Sequence, residues 1–230
     1  MEVGSTQWED LIIDGAKELG IEVARQHARQ FAIHGIELIK WNKKINLTTI
    51  TDPQEIARKH FLDSIAPVRW IPPSSSLLDI GSGSGFPGIP LKVVIPSLSV
   101  TLIDGSRKKI SFLKHIIRTL QLEGIDARQI RAEELVKDAN FAPAFDVIIG
   151  RAISSLESFV RMASLLLAEE GIIIAFKGEV DQKEVDALRL NMLDKVDSVT
   201  FDQSQYSLAL EIYKLPSIQS KRSMLILRKS

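Results

Sequence analysis

From Leu77 the chain reads Leu77-Leu78-Asp79-Ile80-Gly81-Ser82-Gly83-Ser84-Gly85-Phe86-Pro87-Gly88, an apolar run that ends in an acid and breaks into closely spaced glycines. The pattern reads as a buried strand turning sharply toward a helix. Glycine lets the backbone take positive φ and approach a ligand closely, and the helix start that follows offers free N–H groups. A nucleotide-like ligand on an α/β scaffold is the expectation.

The rest of the chain fits that scaffold. Strand candidates are Leu77 to Ile80, Val100 to Ile103, Ala127 to Arg131, Phe145 to Ile149 and Ile172 to Phe176. Helix candidates alternate with them near Ile89 to Val94, Ser106 to Leu120, Leu156 to Leu167 and Asp181 to Leu193. Alternation of apolar strands with helices predicts a parallel sheet covered on both faces. Two later runs, Leu208 to Tyr213 and Met224 to Leu227, have no room between them for a crossover helix, so they should pair antiparallel. The first seventy residues look helical instead: Trp8 to Leu19 ends at Gly20, and Ile21 to about Lys44 carries apolar residues at near-helical intervals. Pro72-Pro73-Ser74-Ser75-Ser76 breaks both patterns. The expected organisation is an N-terminal helical extension over 1–73 and an α/β core over 74–230.

Composition narrows the function. The 230 residues contain no cysteine, which excludes disulfides, thiolate metal sites and catalysis through a cysteine nucleophile. The early acids Glu2, Glu9, Asp10 and Asp14 are unlike a secretory leader, and no stretch reaches the roughly 18 apolar residues of a membrane span. A cytoplasmic address with no membrane contact follows as the expectation. Lysine plus arginine and aspartate plus glutamate both number 29, so any polyanion must be met locally. Arg107, Lys108, Lys109, Lys114, His115 and Arg118 form the best such segment, on the outward side of a helix whose apolar residues are Ile110, Leu113, Ile117 and Leu120. His27 and His34 share a helix face, but nothing completes a ligand set and no metal is expected.

Each known use of a glycine loop makes a different demand. Gly83 and Gly88 have phosphate-loop spacing, yet Ile89-Pro90 stands where Lys-Ser/Thr must follow, so an NTPase is disfavoured. Gly83-Ser84-Gly85-Phe86-Pro87-Gly88 fits G-x-G-x-x-G, and Asp104 ends the next strand where an acid binds ribose hydroxyls, which keeps a nicotinamide-dinucleotide oxidoreductase open. Asp79 argues against a pyrophosphate and suits a ligand with an amine. S-adenosylmethionine has an amine for Asp79, a methionine portion to lie along Gly81, Gly83 and Gly85, and a ribose diol for Asp104. Glu133, expected at the end of the third strand, can face the adenine edge with the Ala132 and Glu133 backbone. Together with the C-terminal hairpin, this is the pattern of a Rossmann-like class I methyltransferase.

A closer resemblance rests on longer blocks. Trp41-Asn42-Lys43-Lys44-Ile45-Asn46-Leu47-Thr48, His60-Phe61-Leu62-Asp63-Ser64, Asp79 through Pro90, Thr101-Leu102-Ile103-Asp104, Arg131-Ala132-Glu133, Arg151-Ala152 and Lys177-Gly178 resemble the RsmG (GidB) family. The resemblance runs from about Trp41 to Arg228-Lys229, and Phe86-Pro87-Gly88-Ile89-Pro90 is its most specific part. Gly150 departs from it, since relatives usually carry a small hydroxyl residue there. The resemblance implies methylation of N7 of a guanine in bacterial 16S ribosomal RNA, with S-adenosylmethionine as donor and the RNA, the small subunit or its assembly intermediate as partner.

The residues agree with that chemistry. N7 already holds a free lone pair, so in-line methyl transfer needs no general base, and orientation supplies up to about 7 to 11 kcal/mol. Methylation at C5 of a pyrimidine would need the missing cysteine. Methylation of an exocyclic amine commonly uses an Asn/Asp-Pro-Pro-aromatic turn, where this chain has Ile149-Gly150-Arg151-Ala152. Arg151 is expected to act at the active site and to close over the methionine portion with Phe86, holding carboxylate, phosphate or the guanine O6 edge. Asn46, His60, Arg131 and Lys177 are the expected RNA contacts, and Trp41 is expected to stack on a base or to anchor the helical extension. A noncatalytic ribosomal-RNA-binding protein is the remaining alternative.

Overall fold

Local signals start and stop the N-terminal helices. The computed structural model describes residues 1–137, 145–151, 155–178, 198–201, 204–217 and 221–229. Ser5 caps α1 (Thr6–Glu18) by accepting the Trp8 amide at 3.3 Å. Gly20, at φ +73°, ends that helix in a left-handed turn, with the Ile21 amide bonded back to Ala16 O. Helix α2 (Arg25–Asn42) begins later than the expected Ile21 and buries Ala28, Phe31, His34 and Leu38 on one face. Asp52 caps α3 (Pro53–Glu55) through the Gln54 and Glu55 amides, with Pro53 in the first helical position. The chain then widens into a π-helical stretch (Ile56–Leu62) and closes with α4 (Asp63–Ile65). Trp8 donates its indole N–H to Pro53 O at 2.8 Å and meets Phe61 edge-on at 5.5 Å, which fixes α1 to that stretch.

Beyond Ser74 the chain alternates as expected. Strands β1 (Ser76–Ile80), β2 (Ser99–Ile103), β3 (Ile125–Arg128), β4 (Phe145–Gly150) and β5 (Leu167–Lys177) are separated in turn by α5 (Gly88–Val94), α6 (Arg107–Thr119), α7 (Ala132–Lys137) and α8 (Leu156–Ser164). Strands β6 (Ser198–Phe201), β7 (Ser204–Lys214) and β8 (Lys221–Lys229) follow. All eight form one sheet in the order β3-β2-β1-β4-β5-β8-β7-β6. The first five are parallel, and β8 runs antiparallel to both β5 and β7. The mostly parallel sheet with its antiparallel C-terminal hairpin is therefore present.

Strand geometry sends alternate residues to opposite faces. Leu77, Leu102, Ile149, Ile174 and Ile226 join Trp8, Phe31, Phe61 and Phe112 in one apolar cluster. Leu78, Ile103, Ile148, Ile173 and Leu225 face α7 and α8 in a second. Each fully buried Leu, Ile or Phe contributes about 1.5 to 3 kcal/mol, so the N-terminal helices and the sheet share the same stabilising core on the first face. No helix among the described residues is long and apolar enough to cross a membrane.

Several element boundaries differ from expectation. The third strand spans Ile125–Arg128 and not Ala127 to Arg131, because its parallel register with β2 starts at Val100 opposite Ile125 and ends at Ile103 opposite Arg128. Glu133 thus lies in the first turn of α7 and not at a strand end. Helix α8 stops at Ser164, since Leu166 O accepts the Phe145 amide and Leu167 already pairs with Phe145 in the sheet. Strand β6 has no counterpart among the strand candidates; it is only four residues long and takes its place by antiparallel pairing with β7. The expected helix from Asp181 to Leu193 lies outside the described residues.

Candidate functional site

The glycine turn is built by the strands that flank it. Gly81, Gly83 and Gly85 all take positive φ, at +70°, +58° and +93°, which a side chain would oppose. Ser82 N–H donates to Ile103 O at 3.0 Å and Gly83 N–H to Asp104 Oδ2 at 3.1 Å, so the end of β2 holds the turn. A Cβ on Gly88 would stand 2.4 Å from Leu102 Cδ2 and 2.8 Å from Asp79 Oδ2, so only glycine lets α5 pack this closely. The Gly88 amide donates to that same Asp79 oxygen at 2.9 Å.

Asp79 is fully buried, and its other oxygen, Oδ1, has no hydrogen-bond partner among the described residues. Burial pushes its carboxyl up to about 7, against the pull of the Gly88 amide and the Arg151 charge, with the Asp104 charge adding to the rise. An acceptor left bare at the base of the turn fits a cationic donor such as an ammonium group. Asp104, at the end of β2, takes the Gly83 and Ser106 amides and lies 3.5 Å from Lys109 Nζ. Two adjoining cavities of about 510 and 610 Å³ open along the C-terminal ends of the parallel strands and share Ile80, Gly81, Glu133 and Met162. The first is lined by Asp104, Ile130, Arg131 and Ala132, and the second by Arg151, Phe159 and Ser155. A cleft at this place in an open parallel sheet is where ligands bind.

Arg151 follows β4 and ties the cleft to the helical N-terminal part. Its guanidinium donates to Ser64 Oγ at 3.0 Å and to Lys59 O at 3.1 Å, lies 3.9 Å from Asp63 Oδ2, and sits about 6 Å over the Phe86 and Phe176 rings. Asp63 Oδ1 in turn accepts the Tyr213 hydroxyl at 2.6 Å. Burial and the neighbouring Asp63 charge keep that phenol protonated. Gly150, the position that departs from the family pattern, has its own reason here: a Cβ would meet the Phe159 ring at 2.6 Å.

Other expected residues sit elsewhere. Phe86 does not close over the cleft; it is stacked between the His34 ring at 4.7 Å and the His60 ring at 4.5 Å. His60 is not open to RNA either, being buried with Nε2 3.0 Å from Thr48 Oγ1. His34, also buried, bonds through Nε2 to Ser84 O at 2.9 Å. Burial holds both imidazoles neutral, His34 down to about 4 and His60, with Arg151 adding to the effect, down to about 3. Trp41 anchors α2 on α6 by packing against Phe112 and His115, at 5.6 and 5.2 Å. Asn46 is exposed beside α6, Arg131 is exposed over Gly105 at the cleft, and Lys177 closes β5 opposite Ser223, outside the cleft lining. Ala132 is buried at the start of α7, and Glu133 is exposed on the rim.

Sequence reasoning assigns no role to Asn42 or Tyr213, whereas Asp63, like His60, is expected to brace the helical part against the active site or to touch RNA; the structure places Asp63 buried between Arg151 and Tyr213. Asn42 folds the loop that follows it, accepting the Leu47 and Thr48 amides and donating to Thr48 O. It stands inside the block Trp41 to Thr48, whose pattern marks it without giving it a role. Tyr213 lies 150 residues from its partner and carried no local signal. The cleft presents acids, arginines and backbone groups, a set suited to binding and orienting a small polar ligand.

The comparisons with known proteins agree with one another. The sequence model of GidB, described as rRNA small subunit methyltransferase G, matches residues 27–207. A ribosomal RNA small subunit methyltransferase G of Geobacter sp. (strain M21) is 39% identical over 95% of this chain and 96% of that protein. One of Oceanobacillus iheyensis is 32% identical over 94% and 89%. Among solved structures, precorrin-6y C5,15-methyltransferase of Geobacter metallireducens superposes with TM-score 0.52 at 14% identity, covering 81% of this chain and 92% of that one. M. jannaschii TYW2 in complex with AdoMet gives 0.52 at 14%, covering 74% of each chain. At such identity these two likenesses concern the fold, a Rossmann-like methyltransferase sheet.

Proposed function

Since the chain belongs to the rRNA small subunit methyltransferase G (GidB) family, we propose that it methylates N7 of a specific guanine in 16S ribosomal RNA, within the small subunit or its precursor in the cytoplasm. It is an S-adenosylmethionine-dependent rRNA methyltransferase. Neither a dinucleotide oxidoreductase nor a noncatalytic RNA binder is favoured by that family.

The observation that carries the reading is the buried, half-satisfied Asp79 beneath a glycine turn that borders, through Gly81, the cleft lined by Asp104. Bound S-adenosylmethionine supplies a methyl group activated by the sulfonium charge. Asp79 Oδ1 would take the amino group. Asp104 has about four acceptor sites; the Gly83 and Ser106 amides and Lys109 Nζ use three, which leaves one for a ribose hydroxyl. Ala132 and Glu133 would flank the adenine. Arg151 commits two of its five N–H donors to Ser64 and Lys59 and keeps others for a carboxylate or phosphate. The guanine N7 lone pair is free, so these residues need remove no proton; they orient two partners in a cleft, a contribution of about 7 to 11 kcal/mol when the approach is right.

Mass spectrometry of 16S ribosomal RNA from cells lacking the gene tests this. One 7-methylguanosine should disappear and return when the gene is restored; if every one persists, the reading is wrong.

A further inference from the structure

A second, smaller pocket lies beside the cleft, where the loop after α2 meets the first turn of α6. It has a volume of about 280 Å³ and is lined by Lys44, Asn46, Ser106, Lys108 and Lys109. The loop side is held in shape by Asn42, which bonds both the Leu47 and Thr48 amides. The helix side is held by Trp41, packed between Phe112 and His115, and by the His115 bond to Glu37 at 2.7 Å. The pocket is therefore built by two fixed walls.

Its charge is uncompensated. Lys44 and Lys108 are exposed and form no ion pair among the described residues. Neighbouring Lys43 is in the same state. The nearby carboxylates are already engaged: Glu37 with Lys40 and His115, and Asp104 with two backbone amides and Lys109. In a chain whose acidic and basic residues balance at 29 each, such a concentration fits a polyanion. Lys109 also joins the pocket to the cleft, because it lines the one and contacts Asp104, which lines the other.

We propose that this pocket seats a backbone phosphate of the RNA next to the nucleotide being methylated, with Lys44 and Lys108 as its cations and the Asn46 amide as a hydrogen-bond donor. This rests on the rRNA methyltransferase reading above and adds where the strand crosses the protein. A phosphate held here enters the path from the side of Asp104 and α6, with the base turned toward the cleft. Contacts of this kind fix register and carry no sequence information.

The test compares Lys44→Ala/Lys108→Ala with wild type in binding 16S ribosomal RNA across a salt series, with Lys17→Ala/Lys214→Ala as a remote control of equal charge. Losing two phosphate contacts should weaken RNA binding about tenfold or more near 0.1 M salt and make the log–log salt slope shallower by about 1 to 2. Affinity for S-adenosylmethionine and thermal stability should not move. RNA affinity within twofold of wild type with an unchanged slope overturns the seat, as does an equal loss in the control. A wild-type protein that leaves the RNA unmethylated in the same preparation sinks the underlying function instead.

Discussion

A carboxylate without water around it must be satisfied by neighbours or keep its proton, and Asp79 is divided between the two. Its carboxyl sits near 7, above the ordinary 3.8, because burial outweighs the Gly88 amide. A folded-state pKa above the unfolded one means stability that falls as pH rises from about 4 to about 7. His34 and His60 have the opposite sign: held neutral at about 4 and 3, they contribute stability above pH 6.5 that is lost as pH falls. Each proton is worth about 1.4 kcal/mol per pH unit, so between about pH 4.5 and 6 one acid cancels one of two imidazoles. Asp79→Asn should then roughly double the slope these three groups give to unfolding free energy in that window, and should stabilise the cofactor-free protein above pH 7 while weakening S-adenosylmethionine binding. Urea titrations that run parallel for the two proteins across pH 4.5 to 8 would contradict this. Packing for His34 and a bracing role for His60 are readings the sequence allows, but their stacking on Phe86 from both sides was not legible, because it joins residues 34, 60 and 86, which no local pattern connects.

At the scale of elements, Arg151 is the link between β4 and the π-helical stretch. A π turn shifts backbone groups out of ordinary helical register, and such turns recur at functional sites. Here the Lys59 carbonyl, within that stretch, accepts from Arg151. Arg151→Ala removes two charge-assisted bonds, at about 1.5 to 3 kcal/mol each before relaxation, and lowers stability. It should also cut methyl transfer more than tenfold, read as turnover at saturating RNA with stability followed in parallel. Turnover within tenfold of wild type would remove Arg151 from the active site. Elements that carry their own signals were readable: the glycine turn and the amphipathic α6, which buries Ile110, Leu113 and Ile116 and exposes Arg107, Lys108, Lys114 and Arg118. Elements set by their partners were not. Strand β3 ends where β2 ends, and β6 exists through its pairing with β7.

Across the whole molecule, the sheet order and the shared core place the N-terminal helices against the face that carries α5 and α6. The same packing brings the loop after α2 beside Asp104, so RNA seat and cofactor cleft become neighbours although residues 44 and 104 are far apart in sequence. The order of strands and helices was legible because alternation and glycine chemistry are local. The position of the helical part was not, since its contacts with the sheet are all long-range. Transfer of labelled methyl from S-adenosylmethionine by the purified protein to 16S ribosomal RNA taken from cells without the gene tests the central claim most directly. About one methyl per RNA, located at N7 of a single guanine, is the expected result; label on an exocyclic amine or a pyrimidine carbon, or no label, would contradict it.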